Sequence, residues 1–358
     1  MTPTTVPADV RVPDHLVVVG DRVDARILTL LDAEVARWRA VDPDLATPIG
    51  ALRDLVAAGG KRLRPAFCHW AFVGAGGDPD DPVVVDAGAS LELLHTFALV
   101  HDDVMDGSDQ RRGRPAVHRA FVDDHRARGW HADPRRTGEG AAVLVGDFAF
   151  VYADQLLGPV SAPARAIYDE LRLELCVGQY LDLVSTASGD RDARRATRIE
   201  CYKSGKYTVE RPLHLGATLV RDDPDLRDAL SRIGLPLGEA FQLRDDLLGV
   251  FGDESVTGKP VGEDLREGKL TPLVAAAAAR VTGDDARLLE RIGAPGLAPD
   301  EITAIQDLLV RCGARAEVEE TIGRRADEAV AAVAAAPLTP DARDALTDLA
   351  RFAAWRDH

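Results

Sequence analysis

The chain of 358 residues is 46% apolar, 28% charged and only 5% aromatic, a mix that favours helices over sheets and can bury a large core in one to three domains. Its formal net charge of −16 excludes a nucleic-acid partner, because phosphate backbones demand a basic surface. Small anions stay within reach, since they respond to local clusters of Lys and Arg.

In chain order, the opening MTPTTVPADVRVPDH has no basic stretch followed by an apolar one. It reads as a frayed tail over residues 1–20, not as a secretory signal, and suits a cytoplasmic chain. From Asp24 to Trp38, the residues Ile27, Leu28, Leu31, Val35 and Trp38 form one helical stripe. GGKRLRP (Gly59 to Pro65) follows, with Lys61, Arg62 and Arg64 at an apparent helix start. Free N–H groups there add to the positive field, although a solvated basic turn would look the same. Val83 to Asp106 is apolar nearly all round, the pattern of a helix buried on most sides.

Helical patterns continue through AAVLVGDFAFVYADQLL, ARAIYDELRLELCVGQYLDLV, DALSRIGLPLGEAFQLRDDLLGVF and VEETIGRRADEAVAAVAAA. The clear loops, Gly74 to Pro82, Gly129 to Gly140 and Gly252 to Asp264, do not resemble interdomain linkers. No series of alternating strands occurs, and no run of 18 apolar residues predicts a membrane span. One all-α domain over residues 21–358 is expected. The four cysteines, Cys68, Cys176, Cys201 and Cys312, form no C-x-x-C pair and read as small core residues in a reducing compartment.

The chemistry concentrates in acidic helix ends. LVHDDVMDGSDQRRGRP (Leu99 to Pro115) carries Asp102, Asp103 and Asp106, then Arg111 and Arg112. On a helix Asp102 and Asp106 share a face, as does His95 seven residues earlier. Two carboxylates one turn apart repel unless a cation sits between them, and magnesium suits such oxygen ligands together with substrate phosphates. A solvated helix end is the bland alternative, but negative charge at a C-terminus opposes the helix dipole.

A second acidic pair, Asp245 and Asp246, ends another helical run, with Phe241 and Gln242 one turn earlier and Lys259 and Lys269 downstream. YKSGKYTVERP (Tyr202 to Pro212) adds Lys203 and Lys206, which alone could be surface lysines. Together these groups suit two polyanions bridged by metal. There is no G-x-S-x-G elbow, no P-loop and no H-E-x-x-H helix. An HD pair at His101 and Asp102 hints at a metal phosphohydrolase, but His69, His95 and His118 lack persuasive ligand spacing. His118, His125 and His131 read as surface or loop residues.

The motifs GGKRLRP, LLHTFALVHDDVMDGSDQRRGRP, YKSGKYT and FQLRDDLLGVFGDESVTGKPVGEDLREGKLTPL, in that order from Gly59 to Leu273, resemble the signature regions of trans-polyprenyl diphosphate synthases. The resemblance is strongest to geranylgeranyl diphosphate synthases of the actinobacterial type. It implies an all-α helical bundle around a central cavity, usually a homodimer. It also implies a magnesium-dependent reaction, with three ions per site, in which an allylic diphosphate (dimethylallyl, geranyl or farnesyl) ionises. Isopentenyl diphosphate then attacks the cation head to tail.

Carried over by position, the resemblance gives Asp102, Asp106 and Asp245 to magnesium, with Asp103 and Asp246 in support. Lys61, Arg64, His95 and Arg112 match the pocket for isopentenyl diphosphate. Arg111, Lys203, Ser204, Gln242, Lys259 and Lys269 match groups around the allylic diphosphate. Lys203 with Ser204 best fits the lysine of the family's K-T pattern, with Lys206 as rival. The second motif departs from D-D-x-x-D: Gly249 takes the last place, and Asp253 lies farther on.

Two rivals share parts of this pattern. A class I terpene cyclase should carry a different second metal motif and has no need of the GGKRLRP cluster. A non-catalytic subunit would usually lose its acidic motifs. In the family, the residues just before the first aspartates set product length. Phe97 and Ala98, an aromatic at the farther place and a small residue at the nearer one, match the C20 product, with C15 or C25 as alternatives.

Overall fold

Proline-primed starts set the frame of the fold. Asp81, Asp133 and Asp223 each precede a proline, and each side chain accepts a hydrogen bond from a backbone N–H in the first turn of the helix that follows. The computed structural model describes residues 11–188, 192–252 and 261–356. It is an all-α bundle: α1 (Asp14–Arg39), α2 (Ala46–Ala57), α3 (Leu63–Gly74), α4 (Pro82–Asp106), α5 (Val117–Ala127), α6 (Pro134–Leu157), α7 (Ala162–Ser188), α8 (Ala193–Glu200), α9 (Arg211–Val220) and α10 (Pro224–Phe251), then, among the described residues, six shorter or C-terminal helices ending in Pro340–Trp355. Among the described residues the strands are confined to a two-residue hairpin, Gln110–Arg111 with Arg114–Pro115.

The long apolar α4 is central. It packs on α6 along its length, with α1 and α3 on other sides. Both α4 and α6 are long and apolar enough to cross a membrane by length and composition. Yet 61% and 44% of their apolar windows are buried inside the fold, which is how core helices of a bundle look. Ile27, Leu31, Leu91, Leu94, Tyr168 and Leu213 belong to the main core. A second cluster, with Leu247, Leu273, Ile305 and Ile322, ties the end of α10 to the C-terminal helices.

Four local expectations need correction. The tail does not run to residue 20: α1 starts at Asp14, because Val19 and Leu16 extend the buried stripe one and two turns upstream of Val23. The loop foreseen over Gly129 to Gly140 ends at Pro134, where Asp133 caps α6. His118 and His125 are buried on α5, not surface residues, and Cys176 is exposed while Cys68 is buried.

One feature has no counterpart in the sequence reading. Cys201–Glu210 is π-helical, a widened ten-residue stretch running between α8 and α9. Its neighbours approach it backbone to backbone. A Cβ on Gly178 of α7 would lie 2.4 Å from the Lys203 nitrogen, and one on Gly238 of α10 would lie 2.6 Å from the Gly205 Cα. Only glycine fits at both places.

Candidate active site

A cavity of about 1330 Å³ opens between α1, α4, α7, the π-helical segment and α10. The C-terminal turn of α4 brings Asp102 to its wall, and Gly107, with φ of 70°, ends that helix in the left-handed conformation glycine favours. Lys203 reaches the same point, with Nζ 3.2 Å from Asp102 Oδ1 and 2.6 Å from Asp182 Oδ2. Gln179 donates to Asp102 at 2.5 Å. Burial acts to raise the Asp102 pKa, but Lys203, Lys269 and Arg111 outweigh it and hold the carboxyl below its ordinary value.

Asp106, one turn farther and off the cavity wall, lies 3.7 Å from the Nζ of Lys269. Burial, and then the charge on Asp102, push Asp106 up to about 6. Asp103 turns away from the cavity and forms an ion pair with Arg111, which does line it. Support for the first acidic cluster therefore comes from Asp103 through an arginine.

Across the cavity, α10 supplies Gln242, Asp245 and Asp246. Asp245 is paired with Arg356, from just beyond the last helix. Asp246 accepts a 2.8 Å hydrogen bond from Gln242 and shares a further side-chain hydrogen bond with the buried Glu200. Burial leads in pushing Asp246 up to about 7, with the charges of Asp264 and Asp245 adding to it. Lys269 sits between the two acidic ends, 2.5 Å from Glu267 and 3.4 Å from Asp264. Burial would lower its pKa, but these carboxylates with Asp106 and Asp102 hold it well above the ordinary value. Lys259 and Asp253 lie outside the described residues.

The third wall is cationic. Lys61, Arg64, His95 and Arg112 all line it. Arg112 is left-handed at φ 54°, hydrogen-bonds the Leu55 carbonyl at 3.0 Å and lies 4.0 Å from Glu92. Burial lowers its pKa to about 10 and that of Lys61 to about 8. His95 is pushed well below its ordinary value by burial and four surrounding arginines, so the imidazole is neutral near pH 7. Arg62 also borders the cavity, but its guanidinium is engaged elsewhere. It turns inward to Asp24 and the buried Glu92.

Buried orphans show what the site is built to receive. Arg64 Nε, His95 Nδ1 and the Tyr207 hydroxyl all lack a partner, and all three residues line the cavity. Unpaired buried donors are costly, so they fit an anionic ligand. The carboxylates fit magnesium equally well: they are hard oxygen donors whose mutual repulsion a cation relieves. Among the described residues, no three metal-type side chains converge on one point. Magnesium accepts such a site when phosphate oxygens complete it.

The geometry separates the two lysines. Lys203 and Ser204 line the cavity, whereas Lys206 is bound 2.5 Å from Glu174 and does not. Sequence reasoning missed Gln179 and Asp182 on α7, Tyr207, Asp264 and Arg356. Of these, Tyr207 and Asp264 lay inside quoted motifs.

The polyprenyl synthetase family model matches residues 49–309. A geranylgeranyl pyrophosphate synthase from Corynebacterium glutamicum, solved with isoprenyl diphosphate and magnesium, is 35% identical and superposes with a TM-score of 0.89 over 97% of this chain and 99% of that one. Geranylfarnesyl diphosphate synthase from Aeropyrum pernix is 30% identical over 80% of this chain and 86% of its own. Octaprenyl diphosphate synthase from Escherichia coli K12 is 31% identical over 85% and 88%. These relatives carry names that specify different prenyl chains. The chain belongs to the polyprenyl synthetase family and is a trans-prenyl diphosphate synthase.

Proposed function

We propose that the protein makes geranylgeranyl diphosphate by adding isopentenyl diphosphate to allylic diphosphates. The observation that supports this reading is one cavity with two acidic helix ends, a separate cationic wall and an apolar wall formed by Phe97 and Ala98. Asp102 and Asp106 on one side and Asp245 on the other would hold the magnesium ions, three by analogy with the family. Bound magnesium supplies Lewis-acid neutralisation of the charge on the leaving diphosphate.

The chain's own groups do the rest. Lys203, Lys269 and Arg111 face the allylic diphosphate as its C–O bond breaks, stabilising charge that develops there. Ser204 and Gln242 flank them. Lys61, Arg64, His95 and Arg112 hold the second diphosphate so that its double bond meets the allylic cation, turning a bimolecular encounter into an oriented one. A proton then leaves to restore a double bond, and no side-chain nucleophile is required. Leu16 and Val17 of α1 add apolar surface to the lining. Incubation with isopentenyl diphosphate, each allylic primer and magnesium, followed by sizing of the products, tests the assignment. A dominant C15 or C25 product would displace it, and a cyclised hydrocarbon would replace it.

Arg112→Ala is expected to raise the KM for isopentenyl diphosphate about tenfold or more while leaving the KM for the allylic primer nearly unchanged, since a charge-assisted contact is worth about 1.5–3 kcal/mol. An unchanged isopentenyl diphosphate KM would remove Arg112 from that pocket.

A homodimer is part of the same proposal. Leu144 and Val151 on α6 and Leu173, Val177 and Tyr180 on α7 are all more than half exposed. Apolar faces of this kind mark association surfaces. The 38.4 kDa chain should sediment at twice its mass. A monomer at micromolar concentration would count against it.

A further inference from the structure

Among the described residues, two that are not glycine hold a left-handed backbone: Arg62, at φ of 51°, and Arg112, at 54°. Residues with a side chain seldom adopt that conformation, and they keep it only where their surroundings hold them there. Arg62 caps the start of α3, and Arg112 sits in the turn of the small hairpin. Far apart in sequence, they send their guanidiniums to one place. Arg62 Nη2 donates to the Val56 carbonyl at 2.8 Å, and Arg112 Nη1 donates to the neighbouring Leu55 carbonyl at 3.0 Å. Both carbonyls belong to the last turn of α2, where a helix is short of its own donors and attracts cations.

Between the two heads stands Glu92 of α4. Its Oε1 accepts from Arg62 Nη1 at 2.5 Å and lies 4.0 Å from Arg112 Nη2, and its side chain is 3% exposed. Asp24 holds Arg62 from the other side, at 2.7 Å. The GGKRLRP loop runs against both heads: a Cβ on Gly60 would lie 2.6 Å from Arg62 Nη1 and 2.8 Å from Arg112 Nη2. Burial and the charges of Arg62 and Arg111 work against the Arg112 cation, and Glu92 supplies the largest opposing charge, ahead of Asp24.

We propose that Glu92 is a positioning residue for isopentenyl diphosphate: it keeps two like-charged guanidiniums side by side, so that Arg112 meets the cavity in one orientation. This rests on the assignment of the cationic wall to that substrate and deepens it. Glu92 stands one turn before His95, so one face of α4 carries both a member of that wall and the carboxylate that sets another. Lys61 and Arg64 flank the anchored Arg62, and the loop that carries them is fixed through the same carboxylate. Without Glu92, Arg62 keeps Asp24 and Val56, whereas Arg112 keeps the Leu55 carbonyl and faces an unbalanced Arg62.

The test is a double-mutant cycle read on the KM for isopentenyl diphosphate. Glu92→Gln keeps the shape and removes the charge. It should raise that KM about tenfold, the scale of a lost charge-assisted contact, while the KM for the allylic primer changes less than about twofold. In an Arg112→Ala background the same substitution should cost less than about twofold, because the residue it positions is gone. A purely structural ion pair would instead lower the folded fraction, and with it the apparent kcat, and leave both KM values alone. If Glu92→Gln does not fold, Glu92→Asp retains the charge and withdraws it by one methylene. It should raise the same KM about threefold or more, again only where Arg112 is present.

An unchanged or lowered KM for isopentenyl diphosphate in the folded Glu92 variant would overturn the proposal, and so would a full, additive effect in the Arg112→Ala background. If Arg112→Ala raises the KM and the Glu92 variant does not, the proposal alone falls. If Arg112→Ala itself leaves the KM unchanged, or the parent elongates nothing, the pocket assignment falls and takes the proposal with it.

Discussion

Asp102→Ala should lower turnover by about 10² to 10³-fold or more, with melting temperature little changed. That is the scale for removing one preorganised group that stabilises charge in a transition state. Asp102 is the meeting point of the first cluster: Lys203 and Gln179 both donate to it, and it lines the cavity. Its loss removes a proposed metal ligand and also frees Lys203 to swing wholly onto Asp182, 2.6 Å away. Asp245→Ala should fall in the same range for the facing cluster. Steady-state rates across a magnesium series are the check. A near-normal rate for Asp102→Ala at limiting magnesium would end the case for a metal-bridged leaving group at this position.

Product length should change most at Ala98. Ala98 lies one turn before Asp102 and Phe97 just beyond it, both on the cavity wall. The Phe97 ring is braced, with its centroid 5.0 Å from that of Phe150 on α6 and 4.7 Å from that of His101. A braced ring cannot swing aside for a growing tail. Ala98→Phe puts a second ring nearer the metal end, so the main product should shorten by at least one five-carbon unit. Phe97→Ala opens the wall and should lengthen it, at a stability cost of up to about 3 kcal/mol from the lost packing. Gas chromatography of the dephosphorylated products decides it. A folded, active Phe97→Ala with the parent's product distribution would move the stop to residues deeper in the cavity.

Much of this was legible in the sequence because it depends on local rules. Helical periodicity gave the all-α fold, and carboxylates at i and i+4 marked Asp102 and Asp106 as neighbours. The choice between Lys203 and Lys206 could not be read that way. Residues three apart share a face of an α-helix, but in a π-helical stretch they diverge. Lys203 meets Asp182 and Lys206 meets Glu174, partners roughly 12 Å apart along α7. Asp264 and Arg356 were hidden for a different reason. Each reaches its site by tertiary packing, and no spacing along the chain announces it. The buried histidines of α5 were misread because their isolated polarity said more than the helix around them.

Gly178 and Gly238 restrict the paths by which this enzyme can diverge. A mutation to anything larger at either one drives a methyl group into the backbone of the Lys203 segment. No single codon change gives a gradual intermediate there, so that segment and its two flanking helices are inherited as a block. The wall at Phe97 and Ala98 is made of side chains and tolerates stepwise replacement. Lineages descending from such a protein can therefore explore new product sizes through one helix face while the charged end of the same helix stays fixed.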